Sequence, residues 1–208
     1  MSPAPSRLLI LAASPRRDGN SAALAAAVRE GAEAAGTTVA LHFLDDHLHG
    51  FLRDCRQCRD ADGHCRIDDG YRALFFDEFL PADGVALCTP VYWYGMSAQA
   101  KAFFDRMFCY FAGSFPDYAA TRARVSGKKL ALLTASEEIY PGVAMGLVQQ
   151  LQEYARYTRS QFVGTVHAYG NRRGEIADAP EAPLQAARSL GREFFARRYW
   201  DLQFDSVR

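Results

Sequence analysis

The chain has no excess charge of either sign: 24 Lys and Arg balance 24 Asp and Glu over 208 residues. A nucleic-acid surface needs a net basic field or stripe, so that class of partner is not expected. Long apolar runs are missing too. No stretch approaches the roughly 20 residues of a membrane-spanning helix. Residues 1–7 lack the basic region and apolar segment of a secretory signal. Five cysteines without such a signal suggest a reducing compartment, and a cytoplasmic protein is expected. There is no internal repeat, low-complexity tract or linker-like shift in composition, so one domain over residues 1–208 is expected.

Several chemical signatures are also absent. The nucleotide-binding pattern G-x-x-x-x-G-K-[ST] does not occur, nor does the dinucleotide fingerprint G-x-G-x-x-G. No Ser-His-Asp or paired-carboxylate arrangement stands out, and no catalytic side chain is assigned. The five histidines show no metal-ligand spacing. His42, His47 and His49 read as neighbours in sequence only, on a solvated loop.

What is present is an alternation of strands and helices. Residues 7–13, 37–44, 84–89, 129–134 and 161–168 are short, bounded apolar runs, as strands buried on both faces require. Between and after them, residues 21–35, 70–80, 97–111, 142–159 and 183–198 have helical patterns with plausible stops. Strands separated by helices need crossover connections, which implies a parallel sheet. The expected architecture is a doubly wound α/β sandwich with a five-stranded parallel sheet and helices on both faces. In such sheets ligands sit beyond the carboxyl ends of the strands. That would bring together the loops at 14–21, 90–96 and 135–140.

The first of these reads S-P-R-R-D-G-N-S (residues 14–21). Small polar residues between a strand and a helix leave backbone N–H groups free around one point, where the helix N-terminus adds partial positive charge. Ser14, Asn20 and Ser21 add donors, and Arg16 or Arg17 can pair an oxyanion. The loop reads as a phosphate cradle; the plain alternative is an exposed turn with Asn20 or Ser21 as an N-cap. The second loop, T-P-V-Y-W-Y-G-M (residues 89–96), places three consecutive aromatics at a strand end. Rings and amides together suit a flat heterocycle, or else the cluster packs a loop or a subunit interface.

These segments resemble the flavodoxin-like NAD(P)H-dependent FMN reductases, particularly the branch that includes the iron–sulfur flavoproteins. The resemblance rests on S-P-R-R-D-G-N-S, on the C-x-x-C…C stretch followed by I-D-D (67–69), on A-D-G-V-A-L-C-T-P-V-Y-W and on S-A-Q-A-K-A-F-F-D-R (97–106). It runs in order and spacing over residues 1–135; the remainder matches only in its pattern of strands and helices. It implies a flavodoxin-like fold, FMN as cofactor and NAD(P)H as electron donor. Ser14, Arg16, Asn20 and Ser21 would hold the phosphate. Pro90, Val91, Tyr92 and Trp93 would line the ribityl chain and ring edge, with Ala135 and Ser136 closing the other side. Lys101, Asp105 and Arg106 match the family's helix pattern, and the last two read as structural. The implied activity passes electrons through the flavin to a small acceptor such as a quinone, free flavin or nitroaromatic. The alternatives are an iron–sulfur flavoprotein for electron transfer and a flavin-binding carrier or sensor without turnover. Relatives of this kind commonly form homodimers, and the aromatic loops suit a buried interface.

Cys55, Cys58 and Cys65 lie in C-R-Q-C-R-D-A-D-G-H-C. A cubane cluster usually takes four thiolates, and Leu52 stands where the family's first ligand would be. A zinc site using His64 would need adjacent ligands at 64 and 65, awkward for a tetrahedral ion. The stretch therefore reads as a remnant of a cluster loop, with thiols that are free or form a labile disulfide, and no metal is assigned. Cys88 and Cys109 read as core residues.

Overall fold

The structure is a computed structural model that describes residues 4–53, 59–178 and 182–198. Five parallel strands form the sheet: β1 (Arg7–Ala12), β2 (Thr38–Phe43), β3 (Gly84–Tyr92), β5 (Lys129–Ser136) and β6 (Gln161–Tyr169). Their spatial order is β2-β1-β3-β5-β6, and a two-residue β4 (Gly95–Met96) pairs antiparallel with the end of β3. The strand direction of travel reverses between β1 and β3, which makes the carboxyl ends of those strands the switch point.

The sheet forms because successive side chains point to opposite faces and both faces are apolar. In β1, Leu9 and Leu11 enter one core with Leu74, Phe75 and Phe103, while Leu8 and Ile10 enter the other with Leu24 and Val28. The second face is covered by α1 (Asn20–Ala34) and α8 (Ala182–Glu193). These helices touch backbone to backbone: a Cβ at Gly31 would lie 1.9 Å from the Arg188 carbonyl oxygen, and one at Gly191 2.1 Å from that of Val28.

The first face is covered by α3 (Ala98–Arg106), α4 (Phe108–Phe111), α5 (Tyr118–Val125) and α6 (Met145–Tyr157). The helix expected over 70–80 is one turn of α-helix, α2 (Tyr71–Ala73), continued by a wider π-helical turn over Leu74–Phe79. Tyr71, Phe75 and Phe79 stack along it at centroid distances of 5.9 and 5.5 Å. The single helix expected over 97–111 is instead two, because Met107 N–H bonds back to Phe104 O and closes α3 with a tight turn. Helix α5 and a last short helix, α7 (Glu175–Asp178), were not signalled by periodicity. The residues expected as a loop at 90–96 form the end of β3, a tight turn and β4.

Two further observations correct or sharpen the sequence reading. His42 and His47 meet in space, with ring nitrogens 3.1 Å apart, because β2 ends in a short 3-10 turn at Leu44–Asp46 that folds His47 back; His49 is exposed. Arg106 is buried, as is the Asp69 carboxylate it grips with both terminal nitrogens. The guanidinium lies 4.3 Å from the centre of the Tyr71 ring and also reaches Gly50 O. Asp69 accepts from the N–H groups of His49 and Tyr71 as well. The second Asp of I-D-D thus ties the backbone at His49 and Tyr71 to Arg106 of α3.

Cys88 and Cys109 are buried, as expected, and Cys65 is half-buried beside Arg106. Cys55 and Cys58 lie outside the described residues. His64 faces the rings of Phe76, Tyr110 and Phe115, with Nε2 3.0 Å from Arg72. No helix among the described residues is long and apolar enough to cross a membrane.

Candidate cofactor site

A cavity of about 540 Å³ opens at the carboxyl edge of the sheet, within the range of small-molecule and cofactor sites. All ten residues expected to contact a cofactor line it: Ser14, Arg16, Asn20 and Ser21 from the first loop, Pro90, Val91, Tyr92 and Trp93 from β3 and its turn, Ala135 and Ser136 from β5. Adjacent strand ends bring these segments together, and buried hydroxyls tie them. Ser97 caps α3, accepting from Ala100 N–H, and donates to Ala13 O at 2.7 Å. Its own N–H bonds to Thr89 Oγ1, and Thr134 Oγ1 donates to Thr89 O. The ends of β1, β3 and β5 are thus linked by hydrogen bonds among buried groups.

Where the first loop lines the cavity, α1 starts after Gly19 with no side chain capping its N–H groups. The cations of the loop differ in their engagement. Arg17 pairs with Asp46 and lies over the Phe43 ring. The Arg16 guanidinium makes no hydrogen bond or ion pair with any described residue, while the Arg16 backbone N–H donates to Ser14 Oγ. An uncapped helix terminus, two hydroxyls and an unpaired guanidinium form a donor set suited to a phosphate dianion.

Trp93 and Tyr94 occupy the turn between β3 and β4 with φ of 49° and 61°. Two consecutive positive φ values are the requirement of a mirror-image hairpin turn, yet aromatic residues rarely adopt them. Trp93 is 96% exposed. It is neither a core anchor nor packed on the sheet, so it plays no part in the packing of the isolated chain. Trp93→Ala should accordingly leave the thermal midpoint of flavin-free protein nearly unchanged, within the roughly 0.5 kcal/mol usual for surface positions. A drop of several degrees would assign Trp93 to packing.

On the far wall, Ser136 donates to Glu138 O, and its oxygen lies 2.7 Å from His167 Nε2. Since the single hydroxyl proton goes to the carbonyl, the imidazole N–H is the donor in the second bond. Burial lowers the His167 pKa, favouring the neutral ring. Ser136 thus shapes the turn after β5, and its proton is not free for a ligand. Asn20 is engaged too: its amide donates to Gly170 O and Arg172 O, and its oxygen accepts from Ile176 N–H. Its side chain faces another loop.

That loop is what the sequence reading missed. Gly170, Asn171, Arg172 and Arg173, following β6, line the cavity along with Gly19, Glu137 and Glu138. The signal was available: β6 is parallel to the others, so its carboxyl end also lies at the ligand edge. Among the described residues, no group of three or more His, Cys, Asp or Glu is disposed to hold a metal ion.

A five-stranded 2-1-3-4-5 sheet with a phosphate-type loop after its first strand defines the flavodoxin-like class of doubly wound proteins. A family model described as a flavodoxin-like fold matches residues 6–192, and the chain belongs to that family. It is 27% identical over 143 residues, 68% of this chain and 77% of the other, to YwqN of Bacillus subtilis (strain 168), provisionally named an NAD(P)H-dependent FMN-containing oxidoreductase. It is 32% identical over 96 residues to the iron-sulfur flavoprotein of Methanosarcina thermophila, 46% of this chain and 49% of that one. Among solved structures, the NAD(P)H:quinone oxidoreductase from Methanothermobacter marburgensis superposes with a TM-score of 0.61 at 18% identity, over 92% of this chain and 98% of that one. At that identity the likeness speaks for the fold.

Proposed function

We propose that this protein is an FMN-dependent oxidoreductase that takes electrons from NAD(P)H and passes them to a small acceptor such as a quinone, free flavin or nitroaromatic. The observation that carries the reading is the lining of one cavity, which combines the uncapped start of α1 and the unpaired Arg16 guanidinium with the exposed aromatics Tyr92 and Trp93. The names of the two relatives point the same way. FMN would supply hydride and single-electron transfer at its ring. The chain's own residues bind and orient it. Ser14, Ser21, Arg16 and the first N–H groups of α1 take the phosphate. Pro90, Val91 and Tyr92 border the ribityl chain and ring. Ala135 and the turn held by Ser136 and His167 form the opposite wall, and Trp93 and Tyr94 stand where a planar donor or acceptor enters. No side chain need move a proton for the cavity to act in this way.

The same rim carries Ile139 and Tyr140, both exposed. A homodimer that covers this apolar rim, in the cytoplasm, completes the reading.

The test is direct. Purified full-length protein should show flavin absorbance bands, with FMN released on denaturation, and they should bleach when NADPH or NADH is mixed in anaerobically. Protein that neither carries nor takes up FMN would remove the reading. Bound FMN that no nicotinamide reduces would favour a carrier or sensor. The iron–sulfur relative makes electron transfer through a cluster the second reading. Against it stands Leu52, partly buried against the main core where a ligand would be needed. Iron and acid-labile sulfide are expected to be substoichiometric after anaerobic purification. A full cluster per chain would reverse the order of the two readings.

A further inference from the structure

The 170–174 strap is built onto the phosphate loop by contacts too specific for a passing turn. Both donors of the Asn20 amide go to it, at 3.4 Å to Gly170 O and 3.2 Å to Arg172 O. The amide oxygen accepts from Ile176 N–H at 3.2 Å, at the start of α7. A primary amide has two N–H groups and one oxygen, so no donor remains for a phosphate. Beside it the Arg173 guanidinium binds the Asp18 carboxylate, and the Asp18 pKa is lowered by that bond. The strap lies close against the loop: a Cβ at Gly170 would lie 2.8 Å from the Asn20 side-chain nitrogen Nδ2, and one at Gly174 3.0 Å from the backbone oxygen of Asp18. The strap is closed on itself by Arg172 N–H donating to the Glu175 carboxylate at 2.8 Å. Its other side lines the cavity through Gly170, Asn171, Arg172 and Arg173.

We propose that this strap is a wall of the flavin cavity latched to the phosphate loop by Asn20 and Asp18, and that Asn20 is a positioning residue for the strap rather than a ligand of the phosphate. The inference rests on the flavin reading and deepens it. It changes the role of a residue that the family resemblance places on the phosphate, and it adds a wall contributed from some 150 residues further along the chain. It also makes the N-terminal and C-terminal parts of the fold interdependent at the cofactor, since one side chain serves both loops.

The test uses full-length protein and two variants, Asn20→Ala and Gly170→Ala. The second keeps the Asn20 amide but sets a methyl group against its Nδ2, which pushes it off its acceptors on the strap. Arg172 and Arg173 make the strap a tryptic site. In flavin-free protein, cleavage after these residues should rise about ten-fold in either variant, the equivalent of losing one or two net hydrogen bonds, with cleavage elsewhere unchanged. The FMN dissociation constant should rise by a similar factor in each, and the double variant should bind no worse than the single ones, because a latch can be lost only once. Lost FMN affinity in Asn20→Ala without faster cleavage would place Asn20 on the phosphate and overturn the proposal. Faster cleavage with FMN affinity intact would show that the strap is no wall, and fully additive effects would show that the two positions act separately; either overturns it. If Asn20→Ala does not fold, Gly170→Ala alone carries both readouts. Wild-type protein that binds no FMN would end the flavin reading itself, with the cleavage arm still deciding whether the latch exists.

Discussion

Asp69→Ala is expected to destabilise the protein by about 3–5 kcal/mol, the usual cost of leaving one partner of a buried ion pair uncompensated. Both side chains are buried, at 1% and 0% exposure. The lost carboxylate leaves a desolvated guanidinium and takes the acceptor from the N–H groups of His49 and Tyr71. Chemical denaturation of the flavin-free protein measures the loss; a change under 1 kcal/mol would show that the pair is neither dry nor structural. Asp69→Asn, which keeps an acceptor but not the charge, should fall between. The pair also fixes a pH dependence. Desolvation, the largest effect on Asp69, raises its pKa, but Arg106 and the two backbone N–H groups together hold it below the ordinary carboxylate value. A lowered carboxyl pKa contributes stability that is complete above the unfolded value of about 3.9 and is lost as pH falls through the folded value. This pair therefore predicts no change in stability between neutral and mildly acid pH and a loss only below about pH 4.

Arg16→Ala should weaken FMN binding by about 1.5–3 kcal/mol, the range for hydrogen bonds to charged groups, or roughly 10–150-fold. Because Arg16 is exposed, the lower part of that range applies at physiological salt, and the effect should grow at low ionic strength. Riboflavin, which lacks the phosphate, is the control: its affinity should not depend on Arg16. Titration by flavin fluorescence reads both. Equal losses for the two flavins would take Arg16 off the phosphate, and unchanged FMN affinity would take it out of the site.

The two variants differ in how far the sequence reveals them. Arg16 stands in a loop between a strand and a helix, and that local pattern was enough to place it at the ligand edge. Asp69 and Arg106 could be read only as parts of motifs. That they grip one another across 37 positions has no local signature, because periodicity reports which face a residue takes and not what it meets there. The same holds for His42 and His47, whose meeting depends on a short turn, and for the 90–96 stretch. Its aromatics were legible, but a hairpin with positive φ at Trp93 and Tyr94 runs against the propensities of those residues and is imposed by pairing Val91 with Met96.

The sequence by itself determined the strand–helix alternation, the two-faced parallel sheet and the edge at which a ligand sits, because each follows from short-range patterning of apolar residues. The family resemblance pointed to ten residues that the cavity gathers from three strand ends. Only the tertiary structure decided which of these side chains remain available to a ligand. Asn20 and Ser136 line the cavity yet are engaged by Gly170, Arg172 and His167, partners supplied by β6 and the strap that follows it. A hydrogen-bond donor serves a limited number of acceptors, and which acceptors arrive first is settled by how distant segments pack.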